Sequence, residues 1–216
     1  MTQDMTTDYH QVAWCTMLSP ASEDYFRELK EHGVEAAIIP LRVTSPKLTD
    51  YHSIAQLQAA RKAGMRVHVG IITNLSYPEL DVTALTLQLE ILHFKAGTQR
   101  VAIMPMADPD TPGQTDRLCR VITSLCACFD VADIDVCLSP QEIYDGVFDL
   151  AELPEGINLT TMNPKGRDAG IPTAGTWIYE NHFLGEPQFL AYDLYGYYTE
   201  RPAERGYQLD LTGEYE

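Results

Sequence analysis

The sequence predicts a fold of the α/β class, an irregular TIM-like barrel of five β/α units followed by three strands, (β/α)5(β)3. Three observations carry that prediction. Short apolar runs alternate five times with segments of helical period, the pattern of a parallel sheet with right-handed crossovers. Nearly every helical segment opens on Ser, Thr or Asp, and the first three close on or near Gly. After Leu150 the helical period disappears, yet three more strand-like runs follow, which brings the strands to a number able to close a barrel.

Taken in order, residues 12–18 (VAWCTML) form the first buried strand. Ser19-Pro20 supplies a cap and a proline for the first helical position, and Tyr25, Phe26 and Leu29 carry the helix to Gly33. Residues 34–41 (VEAAIIPL) are the second strand. Thr49 or Asp50 caps the next helix, which turns Ile54, Leu57 and Ala59-Ala60 inward and ends at Gly64. Residues 65–72 (MRVHVGII) are the third strand, and a helix over about 82–95 aligns Leu85, Leu89 and Leu92 before Gly97. Residues 100–106 (RVAIMPM) make the fourth strand. Thr111-Pro112 opens a helix on which Leu118, Ile122, Leu125 and Phe129 keep the 3.6-residue period. Residues 132–138 (ADIDVCL) are the fifth strand, and Ser139-Pro140 starts a short helix through Ile143 and Tyr144. Residues 157–162, 176–179 and 189–194 are the last three strands, with gaps rich in Gly, Pro and Asn. An open doubly wound sheet is the competing architecture. It would keep alternating to its end, and no Gly-rich phosphate fingerprint follows the first strand.

Composition narrows the function classes. Asp and Glu outnumber Lys and Arg by 31 to 15, a net charge of -16, so phosphate backbones and anionic lipid are repelled and no nucleic-acid partner is expected. No run approaches the ~18 apolar residues needed to cross a bilayer, so no membrane insertion is expected. With 45% apolar residues and no repeat or linker, one domain over 1–216 is expected, with its core at about 11–198 and a tail at 199–216. The polar, acidic start lacks a targeting signal. Cytoplasmic synthesis is therefore expected, with release by lysis or a non-classical route as the way to a cell wall. The five cysteines have no zinc-ligand spacing, and buried free thiols are the simple reading. No HExxH, HxH or GxSxG pattern occurs, so neither a metal, a cofactor nor a serine nucleophile is expected.

In a barrel of this kind chemistry sits at the C-terminal ends of the strands. That rule selects Arg42 after the second strand, Asn74 after the third, and Asp108 and Asp110 after the fourth. It adds Asp193 at the end of the eighth. Paired carboxylates across a mouth suit glycoside hydrolysis, one protonating the leaving oxygen while another supports the oxocarbenium charge. Asp108-Pro109-Asp110 also reads as an ordinary turn before a helix. Asp193 lies in an apolar, Tyr-rich run where a carboxylate needs a hydrogen-bonding reason. Trp177, Tyr179, Tyr192 and Tyr195 are candidate sugar-stacking side chains, although part of such a cluster is ordinarily core. His68 alternates with apolar neighbours and reads as a satisfied interior residue.

With that architecture in view, the chain resembles the glycoside hydrolase family 25 lysozymes (muramidases). The resemblance is carried best by GVEAAIIPLRV and TDYHSIAQLQAARKAGMRVHVGII, and later by TWIYENH and FLAYDLYGYY. It implies a five-plus-three barrel and a cell-wall glycan, peptidoglycan or a related amino-sugar polymer, as partner. It also implies that Asp193 matches the family's closing-strand Asp. The family's strand-four Asp-x-Glu falls on Ile103-Met104-Pro105-Met106, and its strand-one Asp falls on Trp14-Cys15-Thr16. Two functions stay open on these residues, with a barrel enzyme of different chemistry using the same mouth as a third reading. One is a hydrolase in which Asp108 or Asp110 is a displaced acid. The other is a non-catalytic glycan-binding or protein-interaction module on the same barrel.

Overall fold

The computed structural model describes residues 9–41, 51–94 and 96–199. Eight strands close a barrel in chain order: β1 (His10–Trp14), β2 (Val34–Leu41), β3 (Arg66–Thr73), β4 (Val101–Pro105), β5 (Ile134–Leu138), β6 (Asn158–Met162), β7 (Thr176–Phe183) and β8 (Glu186–Asp193). Five helices cover the first part of the wall: α1 (Glu23–Glu31), α2 (Tyr51–Lys62), α3 (Pro78–Ile91), α4 (Gln114–Leu125) and α5 (Pro140–Tyr144). The five-plus-three order read from the sequence is the order found, and the open-sheet alternative is excluded by the pairing of β1 with β8.

Local chemistry sets the ends of the elements. β1 stops at Trp14, four residues earlier than the apolar run suggests. The Thr16 hydroxyl accepts from the backbone N–H of both Leu18 and Ser19 and folds the chain into a turn. The cap of α1 is Ser22 rather than Ser19; its hydroxyl accepts from the Tyr25 N–H. Gly33 and Gly64, at φ 88° and 72°, end α1 and α2 in the left-handed conformation that the sequence anticipates. α3 begins at Pro78 and ends at Ile91, earlier than expected, and Ser139 with Glu142 forms a reciprocal capping box on α5. The predicted caps Thr49 and Asp50 lie outside the described residues.

The last two strands depart most from expectation. Both are longer than their apolar runs, and only Leu184 and Gly185 separate them, at φ 53° and 85°. A two-residue turn with both φ positive joins antiparallel neighbours. β8 therefore runs against both β7 and β1, while β1 to β7 are mutually parallel.

Alternation along the strands divides the apolar residues into two cores. Leu29, Ile39, Leu57, Ile71, Leu85, Ile103, Leu118, Ile122 and Val136 face the helices. Val12, Trp14, Ala36, Ile38, Ala102, Cys137, Ile178 and Ala191 fill the barrel itself.

Candidate functional site

The mouth of the barrel, at the C-terminal ends of the parallel strands, is an apolar pocket of about 310 Å³. Trp14 from β1, Ile38 and Pro40 from β2, Gly70 and Ile72 from β3, Met104 from β4 and Phe189 from β8 form its wall. The Thr16 turn brings Cys15, Met17 and Leu18 over one side. That turn is fixed to the neighbouring strand β8, because the Thr16 and Ser19 hydroxyls both donate to the Pro187 carbonyl, at 3.0 and 2.9 Å. Burial pushes the Cys15 thiol up to about 12, so it is no nucleophile at neutral pH. None of the pocket's described lining residues carries a carboxylate. The Trp14 indole N–H is buried and has no hydrogen-bond partner among the described residues.

The residues selected from the sequence fall in three places. Asp108 and Asp110 follow β4 on the mouth face but are exposed and outside the pocket wall. Asp108 is engaged by its own loop, accepting from the Asp110 N–H at 3.1 Å and the Thr111 hydroxyl at 2.7 Å. The Thr111 bond, then the Asp110 N–H, holds this carboxyl below its ordinary range. Asn74 is likewise an exposed turn residue, its side-chain oxygen accepting from the Ser76 N–H. Arg42 lies outside the described residues.

Asp193 requires a correction of position. Because β8 is antiparallel, its last residue pairs with His10 and Thr176, the first residues of β1 and β7. It therefore stands at the face opposite the mouth, and the structure does not bring it together with Asp108 or Asp110. Its carboxylate is fully buried. One oxygen accepts from the Tyr197 N–H, the other from the N–H of Tyr198 and from both N–H and hydroxyl of Thr199. Those bonds fold residues 194–199 beneath the barrel and give the carboxylate the hydrogen-bonding reason its setting demands.

The floor so formed is polar inside. Asp135 accepts from the Asn158 amide at 2.7 Å, the Thr160 hydroxyl at 2.6 Å and the Tyr198 hydroxyl. Burial still raises its carboxyl to about 6, against the opposing pull of these donors. His68 bonds through Nε2 to the Tyr198 carbonyl and through Nδ1 to the Arg100 N–H, both at 2.9 Å. Nε2 must therefore carry the proton, and burial lowers the ring to about 3. The interior of this barrel is thus polar at the floor and apolar at the mouth.

The candidate aromatics are not at the mouth either. Ile178 and Ala191 point inward, so Trp177, Tyr179 and Tyr192 lie on the outer face of β7 and β8. Tyr179 and Tyr192 stack at 4.0 Å, with Trp177 tilted against Tyr192 at 5.8 Å. The Tyr179 hydroxyl donates to the Gln11 side chain and the Trp177 indole to the Asn163 carbonyl. This layer covers strands that no helix follows. Tyr195 falls in the turn after β8, on the floor side. Sequence reading missed Asp135; a lone Asp inside the apolar IDVCL run was the available signal.

No family model and no curated protein sequence matches this chain. Solved structures do. A family 25 glycosyl hydrolase from Bacillus anthracis superposes with a TM-score of 0.65 at 12% identity, over 89% of this chain and 91% of the other. The catalytic domain of endolysin ply40, from a bacteriophage of Listeria monocytogenes, gives 0.63 at 12% identity over 87% and 94%. The modular autolysin LytC of Streptococcus pneumoniae, in complex with a synthetic peptidoglycan ligand, gives 0.64 at 11% identity over 87% of this chain. This chain spans about half of that autolysin, 47% of its length. The barrel therefore has the fold of the family 25 lysozyme-like hydrolases. At this level of identity the likeness is one of fold.

Proposed function

We propose that this protein is a non-hydrolysing binding barrel on a lysozyme-like fold, directed at a cell-wall glycan or a related amino-sugar conjugate. The observation that carries the reading is the mouth, where Trp14 and Met104 stand in the wall and no described lining residue is acidic. Glycoside hydrolysis needs a general acid within reach of the leaving oxygen, a group contributing roughly 10²–10⁴ in rate. Asp108 is committed to its own turn and Asp193 to the floor, which supports binding over turnover. The glycan class comes from the neighbours, one of which was solved with a peptidoglycan ligand.

A turbidity assay on purified cell walls, paired with a pull-down on the same walls, tests this. Retention on the walls without clearing is the expected result. Clearing that is abolished in the double variant Asp108→Asn/Asp110→Asn would overturn it and restore the hydrolase with a displaced acid.

A further inference from the structure

We propose that the mouth takes an apolar substituent of its ligand, a neutral alkyl or aryl chain, rather than a sugar ring. This deepens the binding reading and rests on it. The pocket's volume of about 310 Å³ would hold on the order of ten waters, each needing two to four polar partners. Its walls are side chains such as Trp14, Ile38, Ile72, Met104 and Phe189, which supply almost none. The same volume lies at the lower end of small-molecule sites, roughly 300–1,000 Å³. An apolar group of about ten non-hydrogen atoms therefore fits it both in size and in chemistry.

The rim and the net charge support this occupant. The rim is apolar: Leu18 and Ile72, both exposed, line the opening, and exposed Met106 follows β4 at the same end of the barrel. Exposed apolar side chains scattered over a surface mean little, but clustered around one opening they mark a binding site. The charge of -16 disfavours an anionic head group, so the chain is expected on a neutral one.

The test is calorimetric titration of the intact protein with methyl, hexyl and octyl β-glucoside below their micelle concentrations, beside soluble peptidoglycan fragments. Affinity should rise about fourfold per added methylene, as burial of a CH₂ implies. Ile72→Glu, on the half-exposed rim, should weaken octyl glucoside binding tenfold or more with an unchanged melting temperature. Equal binding of methyl and octyl glucoside, or indifference to Ile72→Glu, overturns the inference. So does a concentration-dependent dimer broken by Leu18→Glu with no response to the alkyl series, which would give the face to a second copy. Fragments that bind while the alkyl series does not would sink this inference and leave the glycan reading standing. Alkyl binding without fragment binding would do the reverse.

Discussion

Replacing Tyr198 by Phe removes one hydroxyl from the floor of the barrel and keeps the ring against His68, 5.1 Å away. The hydroxyl is one of three side-chain donors to Asp135. Asp135 has a folded value of about 6 against an ordinary 3.8, so its ionised form costs about 3 kcal/mol at pH 8 even with all three donors in place. A raised carboxyl contributes stability that is full below about pH 4 and lost as pH climbs through about 6. Deleting a donor to the ionised form raises the carboxyl further. The variant should therefore lose about 2 kcal/mol at pH 8, where the bond is to a charge, and about half of that at pH 5.5, where the carboxyl is mostly protonated. Urea denaturation of both proteins at the two pH values measures this. A loss of the same size at pH 8 and pH 5.5 would refute the idea that the bond serves a carboxylate.

Other expectations follow from the same geometry. His68 should show no titration by NMR between pH 8 and pH 5. Its folded value near 3 lies below its ordinary 6.5, so the stability it gives is present above pH 6.5 and drains away as pH falls toward 3. A His68 resonance shifting with a midpoint near 6.5 would contradict this. Asp193→Asn should cost roughly 2–4 kcal/mol, since one amide oxygen cannot replace two carboxylate oxygens that accept four bonds. It should leave octyl glucoside affinity unchanged, because Asp193 is at the far face; a matched loss of affinity would return it to the binding machinery. Leu184→Asn should raise the melting temperature through a gain of roughly 0.5–1 kcal/mol, because Leu sits exposed at φ 53° in a turn that Asn favours. A lower melting temperature would show that the Leu184 side chain has a packing role.

The barrel was legible because each of its first five units repeats one physical grammar: an apolar run, a cap, a 3.6-residue period and a stop. The candidate site was less so, and one turn explains much of the difference. With β7 and β8 taken as their short apolar runs, the nine residues between them read only as a gap, and Asp193, taken as a strand end like the others, fell on the mouth face. Polar and charged residues such as Glu180, Asn181, His182 and Glu186 obscured the strand extensions on either side of Leu184-Gly185. The aromatics were misplaced for a different reason: a residue's side of the wall depends on the strand's register and not on its composition. The apolar mouth, by contrast, was written in the sequence. Met104 and Trp14 stood where the resembling family carries acids, and the fold places both in the pocket wall.

The pairing of His10 with Asp193 has a practical consequence for how the molecule can be held. The wall of the barrel begins and closes side by side, on the face farthest from the opening. An anchor, a fluorophore or a sensor-chip linkage joined to either edge of that seam would leave the opening turned toward the medium. A barrel closed by a parallel final strand would have put one of those attachment points beside the opening and shaded it.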